Sequence, residues 1–246
     1  MEILILVPTT IERSILVAEI PRLKTTHTLR LCGFGVISSA ARTAQLLTER
    51  SYDLVVLTGI AGSYDITQLK IGEACCFKKV RCHGLGVGNG SNHLTASEMG
   101  WNQFESETEN TNGQDLRNPN REGIETRGNQ SVKPLTDVCN LATPQLKENR
   151  LTPVQVQDTL LTVCAASANP QEGAEKAERY PGTTAEDMEG FGVAAACHFH
   201  SIPLWIIRGI SNPVGERDHD QWQVEKAMKA AAKLLEKSLS SLIENR

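Results

Sequence analysis

The chain has 246 residues, 40% of them hydrophobic and 22% charged, with a formal net charge of −4. That composition excludes a disordered chain and describes a soluble globular protein with one sizeable core, read here as a single domain over 1–246. The acidic balance leaves no electrostatic footprint for nucleic acid, and no apolar run approaches the roughly 20 residues that cross a bilayer.

The opening MEILILVPTT has no basic region before its short apolar run, so no secretory signal is read there. The seven cysteines are odd in number and form no C-x-x-C pair. Most lie in apolar segments, where a thiol behaves as a small hydrophobe, so a reducing cytoplasm is expected and no redox or metal role.

In chain order, EILILV (Glu2 to Val7) is a continuous run suited to a strand buried on both faces. A helix is predicted from about Thr10 to Glu19, capped by Thr9 or Thr10. TLRLCGFG and SSAARTAQLLTER read as strand, glycine turn and helix. YDLVVLTGIAGSYD is again a strand ending in a glycine turn, and GEACCFKKV a further strand. The stretch 105–133 is nearly free of apolar residues and reads as a surface insertion, an inert loop in preference to a lid. TLLTVCAA is then a strand and PQEGAEKAERY a helix. AEDMEGFGVAAACHFH is predicted as a small-residue helix, IPLWIIRGIS as a buried strand, and DHDQW onward as one long amphipathic helix. This alternation predicts an α/β fold with a mixed, mostly parallel central sheet covered by helices.

The G-x-G of CGFGVISSA follows a strand and precedes a helix, yet it lacks the third glycine of a dinucleotide fingerprint, so close backbone packing is preferred. TGIAGSYD lies at a strand's C-terminal end, where ligands sit in open α/β sheets, and no P-loop lysine follows it. His198 and His200 are two apart, the wrong spacing for one helix face, and are read as non-ligands.

Three carboxylates crowd one methionine in AEDMEG. Glu186 and Asp187 are accounted for as acids in a first helical turn, with Thr183 and Glu186 at capping-box spacing. Glu189 is not. A desolvated carboxylate there needs donors such as a pair of sugar hydroxyls, and Met188 offers a soft surface to a ring. Glu12 follows the first buried strand, and Arg208 and Asn212 end another. Polar groups at several strand ends converge only if the sheet brings them together.

Those segments carry a resemblance. VPTTIERSIL, CGFGVISSAARTA, LTGIAGSYD, LKIGEA, AEDMEG and RGISNPVGERDHDQW together resemble the purine nucleoside phosphorylase and nucleosidase superfamily, and within it the futalosine hydrolases of menaquinone biosynthesis. GLGVGNGSNHLTASEMGW is similar to a segment of that branch, with its middle changed. The likeness covers nearly the whole chain outside the polar insertion. It implies that Glu12 activates the attacking water with Arg208 nearby, that Met188 and Glu189 hold the ribose, and that Asn212 contacts N7 and the 6-substituent of the purine. It places Ile60, Ala61, Gly62 and Asp187 at the site as well. Ala166 and Ser167 stand where many adenine nucleosidases carry a stacking phenylalanine.

Phosphorylases of this superfamily carry an Arg and a Ser or Thr around the second glycine turn. Here Leu57 and Ile60 stand at those places, where a phosphate dianion would lose its charge-assisted hydrogen bonds. Hydrolysis is therefore expected. Asn212, with both N–H and C=O, suits a 6-oxopurine, whereas a carboxylate at that position would suit adenine. The expected partner is a small purine nucleoside, with no cofactor and no metal, in a homo-oligomer. Arg217, Trp222 and the 84–101 segment are candidates for holding the benzoate of futalosine. A nucleosidase for inosine or methylthioadenosine, or a nucleoside-binding protein without turnover, are the alternatives.

Overall fold

A computed structural model describes residues 1–104, 134–144 and 155–244; the polar insertion expected at 105–133 lies outside them. Strand β1 (Ile3–Val7) is buried along its whole length, with β2 (Thr28–Leu31) and β3 (Leu54–Ser63) parallel to it on its two edges. Its side chains alternate between two cores. Ile3, Ile5 and Val7 join Leu16 of α1 (Thr10–Glu19) and Met228 and Leu235 of α6 (Val224–Glu244). Leu4 and Leu6 join Leu46 of α3 (Val36–Glu49) and Phe191 of α5 (Gly190–Phe199). A strand with helices on both faces has no polar face to show, which is why its sequence is apolar without interruption. Each such side chain contributes about 1.5–3 kcal/mol by burial.

The remaining elements are a short α2 (Leu23–Thr26), β4 (Ala74–Cys82), a small ribbon of β5 (Gly86–Val87) with β6 (Leu94–Thr95), β7 (Val138–Asn140), β8 (Val156–Thr162), α4 (Pro170–Arg179), β9 (Thr183–Asp187) and β10 (Leu204–Pro213). Pairing runs from β3 to β10 in parallel, from β10 to β4 antiparallel, from β4 to β8 and β8 to β9 in parallel, and from β9 back to β3 antiparallel. Five strands thus close a ring, with β1 and β2 extending from β3 and β7 flanking β4. This is the mixed, mostly parallel sheet between helices that the alternation of elements predicts.

The small residues of α5 are explained by α3. A Cβ at Gly192 would run into the Val36 carbonyl and the Ser39 hydroxyl, so the two helices pack at a distance that only glycine permits.

Two predicted helices begin later than the sequence suggests. Glu186 and Asp187 are not in a first helical turn: Thr183–Asp187 is a strand, with Leu161 paired to Glu186 and Thr162 to Asp187, and the helix starts at Gly190. The β-branched Thr183 and Thr184 and two neighbouring ladders outweigh the helical pattern of the small residues that follow. The capping-box account of Thr183 and Glu186 falls with it. Likewise α6 starts at Val224, after a separate turn over His219–Gln221 in which the Asp218 carboxylate accepts the Asp220 N–H at 3.1 Å.

Candidate active site

Glu12 is fixed by the first turn of α1. Thr9 is the N-cap, and its hydroxyl accepts the Glu12 N–H at 3.3 Å. In return Glu12 Oε2 accepts the Thr9 N–H at 3.1 Å and the Thr9 hydroxyl at 2.6 Å, the reciprocal capping box. Oε1 turns to β3 and accepts the Ile60 N–H at 3.0 Å. The amide of the second glycine turn therefore meets a carboxylate of the chain itself.

Glu189 is the N-cap of α5, yet its side chain does not cap. Asp187 accepts the Gly190 N–H at 2.9 Å, and the Thr162 hydroxyl accepts the Phe191 N–H at 2.8 Å while donating to Asp187 at 2.6 Å. The helix terminus is satisfied by neighbours, and Glu189 is released toward the cavity. Its Oε1 accepts the Gly35 N–H at 3.0 Å. Gly33 and Gly35 have φ of 87° and 84°, and a Cβ at Gly35 would meet nothing within 4 Å. Backbone conformation, and not the close packing expected from the sequence, explains Gly35.

Arg208 lies beneath these carboxylates. Its Nε and Nη2 reach Asp187 Oδ2 at 3.1 and 2.5 Å, and Nη2 lies 3.3 Å from Glu189 Oε2. Burial pulls the guanidinium down, but Asp187, Glu189 and Glu12 outweigh it and hold Arg208 above its ordinary value. Burial pushes the Glu189 carboxyl up to about 7 against the opposing pull of Arg208, with Asp187 and Glu12 adding to the rise. Gly59 leaves room for the group: a Cβ there would run into Arg208 Nη1 and stand 2.7 Å from Glu12 Oε1.

Asn212 reaches the site through a β-bulge. Ile210 pairs with Ala61 and Asn212 with Gly62, so Ser211 is the extra residue. The Ser211 hydroxyl donates to Asn212 Oδ1 at 2.5 Å, and Asn212 Nδ2 donates to the Pro213 carbonyl at 2.8 Å. One donor and one acceptor position of the amide stay open.

Glu12, Glu189 and Asn212 all line one cavity of about 450 Å³, within the range of small-molecule sites. Met188 and Asp187 line it too, as do Ile60, Ala61 and Gly62 of β3 and, from the turn after β8, Ala166 and Ser167. Arg208 does not. It is fully buried behind the wall, with Nε and Nη2 on Asp187 and Glu189, while Nη1, without a hydrogen-bond partner among the described residues, lies on the Glu12 side at Gly59. At the rim stand Arg217 and Trp222, with the guanidinium 5.2 Å from the indole centroid, and His219, 4.6 Å from the same ring. Among the described residues none of 84–101 lines this cavity, which does not place the third benzoate candidate there; Gly84 and Leu85 face a different hollow.

Sequence reasoning missed Glu186 as a site residue. It lines the cavity, and the strand–helix ambiguity of AEDMEG concealed it. Among the described residues no group of three or more His, Cys, Asp or Glu could hold a metal ion, and no helix is long and apolar enough to cross a membrane. All seven cysteines are free, and only Cys164 is exposed.

The family model of the Phosphorylase superfamily matches residues 17–244. The chain belongs to that family. A futalosine hydrolase from Streptomyces coelicolor is 28% identical over 207 residues, 82% of this chain and 74% of that protein. A 5′-methylthioadenosine/S-adenosylhomocysteine nucleosidase from Colwellia psychrerythraea is 26% identical over 75% of this chain and 65% of that protein. In structure, the corresponding nucleosidase from S. pneumoniae, solved with a transition-state inhibitor, superposes with a TM-score of 0.69 at 18% identity, covering 98% of this chain and 100% of that one. These relatives and neighbours are N-glycosyl hydrolases.

Proposed function

We propose that the chain hydrolyses the N-glycosidic bond of a purine nucleoside, with futalosine as substrate and hypoxanthine as the released base, a step of menaquinone biosynthesis. The observation that carries the hydrolytic reading is the charge of the cavity. Glu12, Glu186, Asp187 and Glu189 line it, and the one guanidinium on its wall among the described residues, Arg217, is at the rim. Arg208 does not line it, and gives Nε and Nη2 to Asp187 and Glu189 behind the wall. A phosphate dianion would enter facing like charge without a clamp, whereas water meets a carboxylate able to take its proton.

In the proposed reaction the C1′–N9 bond stretches and the ribose becomes cation-like. Glu189 accepts the ribose hydroxyls, and its charge favours the developing cation. Asn212 donates to the 6-oxo group, and its carbonyl accepts from N7 as N7 takes a proton from solvent and the base departs as neutral hypoxanthine. Glu12 takes a proton from the water that attacks C1′; its two oxygens are held by Thr9 and Ile60, so the carboxylate is oriented before substrate arrives.

Futalosine is favoured by the Streptomyces coelicolor relative and by the rim, where Arg217, His219 and Trp222 suit an anionic aromatic group. The test is base release from futalosine, inosine and methylthioadenosine at matched concentrations in phosphate-free buffer. Hypoxanthine release from futalosine with the highest kcat/KM is expected. Faster adenine release from methylthioadenosine would overturn the substrate assignment, and binding without release would overturn the enzymatic one.

A further inference from the structure

We infer that Thr162 is a positioning residue: its hydroxyl decides how the buried Arg208 is divided between Asp187 and Glu189, and so keeps Glu189 available for the substrate. The part played in turnover rests on the nucleosidase reading; the division of the cation does not. Thr162 ends β8, is fully buried and stands outside the cavity wall. The register of β8 with β9 pairs it with Asp187, so the two side chains leave the sheet on the same face.

The direction of each bond around that hydroxyl is fixed. The Phe191 N–H can only donate, so the hydroxyl accepts it at 2.8 Å, and its single proton goes to Asp187 Oδ1 at 2.6 Å. With Oδ1 held there, Oδ2 faces the Gly190 N–H at 2.9 Å and Arg208, whose Nε and Nη2 approach to 3.1 and 2.5 Å. A Cβ at Gly190 would stand 2.8 Å from Asp187 Oδ2 and 3.0 Å from the Thr162 hydroxyl, so the start of α5 closes round this pair.

Glu189 receives what is left of the cation. Arg208 Nη2 lies 3.3 Å from its Oε2, longer than either bond to Asp187, and the Gly35 N–H is at Oε1. The other titratable groups that face it are Glu12 of α1 and the Cys32 thiol after β2. Burial raises its carboxyl most, Arg208 lowers it, and Asp187 and Glu12 raise it further. Without the Thr162 proton, Asp187 turns about its terminal torsion, whose wells are broad, and releases Arg208. The guanidinium then moves toward Glu189 while a like charge moves off, and both changes favour ionised Glu189. Held more closely by Arg208, that carboxylate has less to offer the ribose hydroxyls.

The test is the titration of Glu189, followed by the ¹³C shift of its labelled side-chain carboxyl, in wild type, Thr162→Val and Thr162→Ser. Valine has nearly the shape of threonine and no proton to give. In Thr162→Val the Glu189 midpoint should fall by about one pH unit, roughly a tenfold loss of proton affinity. The rising limb of kcat/KM should move to lower pH with it, and KM for futalosine should rise. Thr162→Ser should restore the wild-type midpoint. A hydroxyl that only supports the start of α5 would lower the urea midpoint and leave the titration in place. An unshifted Glu189 in a folded Thr162→Val chain therefore overturns the inference, as does a shift that serine does not reverse. Should Thr162→Val not fold, the wild type decides. Its Asp187 carboxyl signal should stay nearly still through the range in which Glu189 titrates; a signal that moves as far as that of Glu189 shows the cation passed between them and overturns the inference. If the titration shifts as stated and no purine nucleoside is cleaved, the nucleosidase reading fails and the division of the cation stands.

Discussion

Glu12 and Thr9 hold each other from both ends: the Thr9 hydroxyl accepts the Glu12 N–H and donates to Glu12 Oε2. The same pairing that starts α1 thus aims the carboxylate assigned to activate water, and stability and catalysis share one hydroxyl. Thr9→Val should cost about 1 kcal/mol of stability, the worth of an N-cap, measured by urea denaturation. It should also lower kcat with KM nearly unchanged, because Glu12 loses orientation while the nucleoside contacts remain. Thr9→Ser should keep both. A Thr9→Val enzyme with wild-type kcat would separate the cap from the chemistry.

The raised Glu189 carboxyl sets a pH dependence with a definite sign. Its folded value of about 7 lies above the ordinary 4.5, so the native state holds this proton more tightly than the unfolded chain. The stability it contributes is full at low pH and is lost as pH rises through that window. Activity runs the other way, since only the ionised carboxylate accepts both ribose hydroxyls. The kcat/KM profile should rise as pH passes through about 7 and then level. Glu189→Gln should remove that limb and reduce the loss of stability across the same range, as read by urea denaturation at a series of pH values. A wild-type profile flat from acid to neutral pH would contradict this placement of Glu189.

Arg208 is the one cation between Asp187 and Glu189, and it is wholly buried. Arg208→Met leaves two buried carboxylates facing each other, and a loss of about 3–5 kcal/mol in unfolding free energy is expected. Arg208→Lys keeps a charge but not the geometry in which Nε and Nη2 reach Asp187 together. It should fold with reduced stability and a lower kcat. A stable, fully active Arg208→Met chain would show that the cation positions nothing.

Much of the architecture was legible from periodicity. The unbroken apolar run of β1, the glycine turns and the amphipathic C-terminal helix are each set by local burial demands, which sequence records directly. The ends of elements were not legible. Glu186 and Asp187 were read as helical because the small residues after them are, whereas pairing with β8 and β3 made them strand. The start of α6 was misplaced for a similar reason: the Asp218 turn ends before the helix, and Trp222 falls outside it at the cavity rim. The bulge at Ser211 leaves no local signal, because it is set by the register of two strands far apart in sequence. The family likeness gives Arg208 a place near the water, and only the folded chain shows that its Nε and Nη2 reach Asp187 and Glu189. Thr9 is legible as a cap of α1, and the T-x-x-E spacing also carries the reciprocal bond from Glu12, which shares its carboxylate with the site.

The most direct measurement is turnover of futalosine in ¹⁸O-labelled water without phosphate, with mass analysis of the sugar product. One ¹⁸O atom at C1′ of the released sugar, with hypoxanthine in equal amount and neither product formed by Glu12→Gln, is the expected result. Base release that requires added phosphate and yields a sugar 1-phosphate would contradict the account.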